Sequence, residues 1–399
     1  MFPDGWIRPF FEAARERVPD LEFFDAHTHF GQNDPDGFRL EPDQLLAGLD
    51  ALPGRAAVFP MQEPDGYSEP NDRVIEEAGR SGGRLVAFCR LDPRADPLAE
   101  ATRCLEAGAV GIKLHPRAEE FELATPELAE VFALADERRL PVLVHAGRGI
   151  PALGRHAVQL CERHRGLRLI LAHAGISDLA WIWEPAQRLP NLFFDTSWWS
   201  PDDLLALFTL VPPGQVLFGS DTPYGTPTYG ATAMLRFALQ AGYSAHQVRS
   251  VAGGQMARLV AGEEPVDHGP AIAPGDPRDD VLLNRVHSFL TSAIGQMFNG
   301  VRPDETLALA RLACQVPEGS PQEPVCRAVI GLLDQVARFE EAAEAARGGP
   351  AEPEESTSRF RSIVPGVPLV ITAADLCKTP DVPLPQEGAS FAVAAPGSP

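Results

Sequence analysis

The stretch PVLVHAGRGIPALGRHAVQLCERHRGLRLILAHAG, residues 141–175, decides the fold. It holds two short apolar runs, PVLVHAG (141–147) and LRLILAHAG (167–175), whose composition favours β-strands. Between them, PALGRHAVQLCERHR (151–165) has apolar residues at helical spacing. A strand, a helix and a second strand in this order predict two parallel strands joined by a crossover helix.

The same unit recurs along most of the chain. Apolar runs of this kind occur eight times: LEFFDAHTH (21–29), RAAVFP (55–60), RLVAFCRLD (84–92), AVGIKLHP (109–116), PVLVHAG (141–147), LRLILAHAG (167–175), NLFFDTS (191–197) and QVLFGSDTP (215–223). Eight strand–helix units in about 240 residues match the size of a (β/α)8 barrel, the α/β fold also called the TIM barrel. A doubly wound open sheet is the main alternative, but no G-x-G-x-x-G motif follows the first strand.

The composition changes after the eighth unit. Residues 1–262 are predicted to form the barrel, and residues 263–279, EEPVDHGPAIAPGDPRD, to form a linker rich in Pro, Gly and Asp. Residues 280–347 have helical spacing and predict a helical C-terminal extension. Residues 348–399 are predicted to be mostly loop or disordered tail, with one short strand in VPLVITAADL (367–376). The extension is expected to cover the barrel or to pack in a homo-oligomer.

The composition also excludes several classes of protein. The net charge is −21, and no basic stripe is present that would bind a nucleic acid. No run of about 18 apolar residues predicts a membrane span, and the N-terminus lacks the basic start and apolar core of a secretory signal. The six cysteines are scattered without a Cys-x-x-Cys pair, which argues against a disulfide framework. We therefore expect a cytoplasmic protein.

Polar residues stand where the predicted strands end. In a parallel barrel these ends meet at one mouth, where side chains from different strands act together. The chemically active residues at the strand ends are His27, His29, Lys113, His115, His145, His173 and Asp221. Residues i and i+2 of a strand share a face, so His27 and His29 point the same way, as do Lys113 and His115. Imidazoles together with a carboxylate suit zinc or another late divalent metal.

The ordered motifs DAHTH, GIKLHP, LVHAG, ILAHAG and FGSDTP resemble those of the amidohydrolase superfamily of metal-dependent TIM barrels. The resemblance covers roughly residues 20–262 and is nearest to the branch of aminocarboxymuconate-semialdehyde decarboxylase-like and lactonase-like proteins. It implies four ligands for one divalent metal ion, with zinc expected: His27, His29, His145 and Asp221. It also implies that His173 holds or deprotonates a metal-activated water or polarises the substrate, and that Asp221 shuttles a proton as general base.

Lys113 divides the interpretation of the metal site. In two-metal members of the superfamily, a fourth-strand lysine is carboxylated and bridges the ions. The GIKLHP motif is similar to the one-metal branch, so we expect one metal, with Lys113, His115 and Arg148 lining the substrate pocket. A cationic Lys113 would hold a substrate carboxylate or oxyanion, and Arg90 is a weaker candidate for the same task.

Several of these residues also have a structural interpretation. Asp25 lies on the same strand face as the histidine pair and is a candidate to orient an imidazole. Trp198 and Trp199 either wall the pocket or pack in an ordinary loop. Asp221 in GSDTP is also compatible with turn capping, and His173 with a hydrogen-bonded core histidine.

Three functions are compatible with this pattern. The first is a metal-dependent hydrolase in which a metal-activated water attacks a small ester, lactone or amide. The second is a metal-dependent, non-oxidative decarboxylase of a small aromatic or unsaturated carboxylic acid, which uses the same residue types. The third is a barrel with a decayed site that serves as a scaffold, against which the retention of all these strand-end residues argues.

Overall fold

The computed structural model describes residues 4–147, 149–272, 280–346 and 366–386, apart from the side chains of residues 339–346. Eight strands alternate with helices, and each strand overlaps one of the eight apolar runs of the sequence. The strands are β1 Phe23–Phe30, β2 Gly54–Pro60, β3 Leu85–Arg90, β4 Gly111–Leu114, β5 Pro141–Val144, β6 Arg168–Leu171, β7 Leu192–Asp195 and β8 Val216–Leu217.

The strands form one parallel sheet in the order β1 to β8. The first and last strands meet along a line that we call the seam, made by β1 and residues 218–222. At the seam the Asp221 N–H donates to His27 O at 2.8 Å, and the His29 N–H donates to Thr222 O at 2.8 Å. These bonds bring the sheet round into a barrel, so the predicted (β/α)8 fold is confirmed.

Helices connect the strands and cover the outside of the barrel. In the part of the chain up to residue 272 they are α1 Asp4–Arg15, α2 Pro42–Ala51, α3 Ser68–Arg80, α4 Pro97–Ala107, α5 Ala129–Glu137, α6 Leu153–Arg163, α7 Leu179–Ala186, α8 Pro201–Leu210, α9 Pro227–Gln240, α10 Ala245–Arg249 and α11 Gln255–Val260. None of the helices among the described residues is both long enough and apolar enough to cross a membrane.

Two helices that flank the barrel mouth start with a capping hydroxyl followed by proline. α8 begins at Pro201 after Ser200, whose hydroxyl accepts a hydrogen bond from the backbone N–H of Asp203. α9 begins at Pro227 after Thr226, which caps its helix in the same way. A proline fits the first helical position because the N–H that it lacks would have no partner there. These local signals fix where the chain turns after β7 and β8.

A cluster of buried side chains fills the inside of the barrel. Among its members are Phe24, Ala57, Phe59, Phe88, Leu143, Ile170, Phe193 and Leu217. Because side chains two residues apart on a strand share a face, the inward direction continues beyond this cluster toward the mouth. Two positions further along the third, fifth and seventh strands, the residues are Arg90, His145 and Asp195. The apolar interior therefore changes into a polar mouth at the carboxyl ends of the strands.

Four helices form the described part of the C-terminal extension: α12 Val281–Phe298, α13 Asp304–Ala313, α14 Glu323–Ala346 and α15 Val367–Lys378. The last of them packs against α1, α8, α9, α12 and α14. Residues 263–272 contain neither helix nor strand, and residues 273–279, 347–365 and 387–399 lie outside the described residues. The linker and the tail therefore stay predictions.

The run VPLVITAADL (367–376), predicted to be a strand, forms helix α15 instead. Pro368 lies in its first turn, and the helix continues to Lys378. Almost every side chain of α15 is buried, so the run lacks the alternation of apolar and polar residues that reveals a surface helix. A short continuous apolar run cannot be distinguished from a buried strand by its period alone. The strand prediction is wrong for this reason.

Candidate metal centre and pocket

Three side chains approach one another at the seam. The Nε2 atoms of His27 and His29 lie 3.1 Å and 3.2 Å from Oδ1 of Asp221. One ligand atom from each of the three residues lies within 4.8 Å of the other two, and no other such group occurs among the described residues. His27 and His29 come from β1, and Asp221 follows β8. The closing of the barrel therefore assembles the cluster.

The protonation states of two of the three side chains, His29 and Asp221, suit a cation. Burial lowers the pKa of His29 to about 3, so its imidazole is neutral at neutral pH. Although burial acts to raise it, the charge on His27 and hydrogen bonds from both histidines hold the pKa of Asp221 well below its usual range. Burial acts to lower the pKa of His27, but the carboxylates of Asp221 and Asp195 raise it, and His27 must lose its proton to bind a metal. An ionised carboxylate beside a neutral imidazole is a donor set that zinc and related divalent metals accept. The residues present therefore fit a divalent metal ion.

Asp195, at the end of β7, fixes the orientation of His27. Its Oδ2 lies 2.8 Å from His27 Nδ1, and both side chains are almost fully buried. Its other oxygen accepts hydrogen bonds from the backbone N–H groups of His173 and Ser197, at 2.8 Å and 3.0 Å. A carboxylate on one ring nitrogen turns the other nitrogen toward Asp221, which is how metal-binding histidines are commonly held.

Asp195 is missing from the sequence-based site, and Asp25 takes a different role from the one expected. Oδ1 of Asp25 accepts from the backbone N–H groups of His27 and Ser220, at 3.0 Å and 2.9 Å. Asp25 therefore holds the two backbones of the seam, whereas Asp195 holds the imidazole. The signal that would have revealed Asp195 is an acidic residue that follows Phe193 at the inward spacing of a strand.

His173 and His145 form a hydrogen-bonded pair beside the three ligand candidates. His173 Nδ1 lies 2.8 Å from Ser197 O, and a carbonyl oxygen only accepts, so this nitrogen carries the proton. His173 Nε2 then accepts from His145 Nδ1 at 2.9 Å. The remaining nitrogen, His145 Nε2, is buried, unprotonated and without a hydrogen-bond partner among the described residues. An unprotonated imidazole nitrogen is the form that binds a metal.

The structure does not bring all four predicted ligands together. His145 lies next to the trio rather than in it, with its ring stacked on His115 at a centroid distance of 3.9 Å. His173 stands between His145 and Asp221, since its Nδ1 lies 4.0 Å from Asp221 Oδ2. We call His27, His29, His145, His173 and Asp221 the histidine cluster.

Two residues of the cluster hold an unusual backbone conformation. His173 has a φ of 56° and Asp221 a φ of 57°, which is the left-handed region that residues with a side chain rarely adopt. Each such residue costs on the order of 1–3 kcal/mol, so the surroundings must hold it. The hydrogen bonds from His173 N to Asp195 and from Asp221 N to His27 O do this. No sequence pattern predicted the left-handed backbone conformation of these two residues.

Lys113 and Arg90 are the buried cations of the mouth. Lys113 Nζ lies 3.2 Å from His27 Nε2, and burial lowers the pKa of this lysine to about 7. Arg90 is paired with buried Glu119 at 2.7 Å, and the Tyr67 hydroxyl donates to the same carboxylate at 2.6 Å. The charge of Arg90 is therefore balanced within the protein, whereas Lys113 lies directly against the histidine cluster.

A cavity of about 710 Å³ opens above these residues. That volume lies within the range of small-molecule sites. It contains the histidine cluster, and Lys113, His115 and Arg90 also line it. Arg148, the remaining predicted pocket residue, lies outside the described residues.

The remaining lining is mixed, with charged Asp34, Asp36 and Arg117 beside aromatic and apolar side chains. From the barrel it includes Phe38, Trp198, Trp199, Tyr224 and Tyr229. The C-terminal extension contributes a second group, which we call the extension wall: Phe298, Val367, Pro368 and Ile371. The sequence-based site did not include any residue of the extension wall.

Comparison with known protein families shows the family to which the chain belongs. A family model described as amidohydrolase matches residues 24–259. A 2,6-dihydroxybenzoate decarboxylase from Rhizobium is 15% identical, with 60% of this chain and 99% of that one covered and a TM-score of 0.49. A 4-oxalomesaconate hydratase from Rhodopseudomonas palustris is 14% identical, with 60% and 96% covered and a TM-score of 0.46. No curated protein matches the chain in sequence.

Proposed function

The chain belongs to the amidohydrolase family, and from this premise we propose that it is a metal-dependent hydrolase of a small ester, lactone or amide. The observation that carries the proposal is the grouping of His27, His29 and Asp221, whose ligand atoms lie within 4.8 Å of one another. We assign these three residues to one divalent ion, with zinc as the expected metal. The unprotonated Nε2 of His145, which has no hydrogen-bond partner among the described residues, supports His145 as a fourth ligand.

In the proposed reaction, the ion activates the carbonyl group and the water, and the protein accepts and returns the proton. A divalent ion in such a site polarises a carbonyl oxygen and lowers the pKa of a water molecule toward about 7. His27 and His29 both contact Oδ1 of Asp221. We assign the other carboxylate oxygen, Oδ2, as the acceptor of the proton from the attacking water. His173 lies beside that oxygen, but both of its ring nitrogens are engaged by Ser197 and His145, so we assign it to holding His145 in place.

The protons and bonds balance within this scheme. The water oxygen forms a bond to the carbonyl carbon, and the ester, lactone or amide bond to the leaving oxygen or nitrogen breaks. The proton accepted by Asp221 passes to that leaving atom, so the carboxylate is regenerated. Lys113 lies close enough to the histidine cluster to stabilise negative charge on the carbonyl oxygen.

A decarboxylase is the second candidate, and the position of Lys113 favours it. A buried amino group 3.2 Å from His27 Nε2 would hold the carboxylate of a substrate at the site. In that reaction the bond between the carboxylate carbon and its neighbour breaks, carbon dioxide leaves, and a proton is added to the remaining carbon. Both reactions need the same polar residues, so only product analysis separates them.

Metal content provides the first test. Protein purified without a histidine tag and supplied with zinc is expected to retain about one equivalent of metal. Asp221→Asn, which keeps the shape but removes the charge, is expected to retain far less. Less than about one tenth of an equivalent in the folded wild-type protein would contradict the proposal.

A substrate screen provides the second test. Lactones, esters, amides and aromatic carboxylic acids are supplied to the metal-loaded protein, and release of acid is followed beside release of carbon dioxide. Hydrolysis that disappears in Asp221→Asn supports the first candidate. Release of carbon dioxide without cleavage of any ester, lactone or amide would replace it with the second.

A further inference from the structure

We propose that the C-terminal helices complete the substrate pocket and select substrates whose reacting group is attached to a flat apolar group. This inference rests on the proposed function, because it assigns the reacting group to the histidine cluster. It assigns a role to a part of the chain that lies beyond residue 259, where the family match ends. The extension would thus decide which substrate is used, while the barrel supplies the chemistry.

The first support is the composition of the extension wall. Phe298 is the last residue of α12, and the other three members lie in the first half of α15. All four side chains are apolar, so this part of the cavity offers neither a charge nor a hydrogen bond from a side chain. An apolar surface is covered most favourably by an apolar part of a ligand, because water is then released from both.

The second support is a series of aromatic contacts that leads from the extension to the histidine cluster. The ring of Phe298 lies 5.0 Å from that of Trp199, and Trp199 lies 5.6 Å from Trp198. Trp198 in turn lies 6.1 Å from the ring of His173, which it meets edge to face. Aromatic rings favour flat partners that stack on them or meet their edges. A planar apolar group attached to the reacting group fits such a surface.

The third support is that the extension is fixed to the barrel by polar contacts. Buried Arg236 of α9 donates to Oγ1 and O of Thr379, both at 2.8 Å, and to O of Pro383 at 3.1 Å. Asp202, at the start of α8, bridges to Lys378 and to His287 of α12, each at 3.0 Å. Both barrel helices follow strands that end at the mouth. These contacts hold α12 and α15 in a defined position over the cavity.

The contribution of the extension wall to binding is separated from that of the metal site by comparing two hydroxamates. Acetohydroxamate and benzohydroxamate carry the same metal-binding group, joined to a methyl group or to a phenyl ring. Binding to the zinc-loaded full-length protein is measured by calorimetry. We expect benzohydroxamate to bind about tenfold more tightly, because only the phenyl ring reaches the extension wall. Equal affinity would overturn the inference and leave the metal site intact.

Variants test whether the extension wall causes this preference. Ile371→Trp is expected to fill the cavity and to abolish the phenyl preference, while acetohydroxamate binding stays unchanged. Phe298→Leu, a milder change, is expected to reduce the preference about threefold by removing the ring that meets Trp199. Leu309→Trp is the matched control, because Leu309 lies in α13, is 44% exposed and does not line the cavity. An unchanged preference in both wall variants would overturn the inference.

A third probe keeps the test independent of the metal. The dye 8-anilinonaphthalene-1-sulfonate binds apolar surfaces without needing an ion, and its fluorescence is titrated with metal-free protein. We expect Ile371→Trp to weaken this binding about tenfold and Leu309→Trp to leave it unchanged. If neither hydroxamate bound the wild-type protein, the proposed metal site would fail. The role of the extension wall would then be judged from dye binding alone: weaker binding in Ile371→Trp would support it, and unchanged binding would overturn it.

Discussion

The histidine cluster and the extension wall line the same cavity but are held in place by different forces. The cluster is fixed by directional hydrogen bonds, such as those of Asp195 to His27 and to the backbone of His173. The wall makes apolar and ring contacts, and its polar anchors lie away from it, at the far end of α15 and at His287 of α12. Directional bonds set the position of individual atoms, whereas packing sets the shape of a surface. Reactive groups and pocket shape should therefore respond differently to mutation.

Loss of the buried anchor of the extension gives the largest expected effect on stability. Arg236→Met removes three hydrogen bonds to Thr379 and Pro383 and the positive charge near Asp375. Burial raises the pKa of Asp375 well above its usual range, while Arg236 acts to lower it. We expect a loss of about 3 kcal/mol in the free energy of unfolding, measured by urea denaturation.

A double variant tests this explanation. Arg236→Met combined with Asp375→Leu leaves no buried carboxyl group beside the lost cation, so part of the stability should return. If the double variant were as unstable as the sum of the single ones, the two residues would not interact. Zinc content should stay near the wild-type value in all variants that fold, because the histidine cluster does not touch the extension anchor.

Loss of the carboxylate that orients His27 gives the next largest effect, and it acts on metal binding rather than on stability. Asp195→Asn keeps the shape of the side chain but weakens its hold on Nδ1 of His27. We expect zinc affinity to fall about 10- to 100-fold, measured by competition with a coloured chelator.

The matched control for this variant is a second pair of an aspartate and a histidine outside the cavity. Asp136 accepts from the backbone N–H of Gly166 at 2.6 Å and contacts His164 Nδ1 at 3.3 Å. Asp136→Asn is expected to leave zinc affinity unchanged. Equal zinc affinity in Asp195→Asn and the wild-type protein would show that directional bonds to His27 do not control the site.

The smallest effect is expected at the exposed anchor of the extension. The side chain of Asp202 is 57% exposed, and hydrogen bonds from His287 and Lys378 lower its pKa below the usual range. A lowered pKa adds stability above the pKa of the unfolded chain, about 4, and this contribution is lost as the pH falls below it. We expect Asp202→Asn to lose less than about 1 kcal/mol at pH 7.

The pH dependence provides the check on this anchor. The difference between wild-type protein and Asp202→Asn in the free energy of unfolding should shrink as the pH is lowered from 7 to about 3. A difference that stays constant over this range would show that the charge of Asp202 does not contribute. A loss as large as that of Arg236→Met would remove the distinction between the buried and the exposed anchor.

The sequence predicted the barrel because its signals are local. Short apolar runs alternate with helical segments, and each run overlaps one strand of the structure. The residues of the mouth could be predicted for the same reason, since His27 and His29 lie in the second half of β1 and Asp221 follows the end of β8 by four residues. Local spacing could not show that His145 contacts His173, because rotamers and ring pairings depend on neighbours that are distant in sequence.

The extension could not be predicted to the same depth. Helix α15 has no polar face, so its sequence resembles a strand, and only its burial among five other helices explains the apolar run. The contact of Phe298 with Trp199 joins residues 99 positions apart, and no periodicity encodes it. Asp195 stands at the inward spacing of its strand, but its pairing with His27, 168 positions away, has no local signal. Such pairs arise from the tertiary fold, not from a local pattern.

Because of the seam, the site forms only when the barrel closes in the correct register. His27 and His29 lie on one side of it and Asp221 on the other, joined by backbone hydrogen bonds that also close the barrel. Because strand side chains alternate between faces, a slip of one residue in this pairing would turn both histidines away from Asp221. A chain that closes in the wrong register would therefore be inert rather than active with altered selectivity. Closure of the barrel at the seam and assembly of the site are therefore one event.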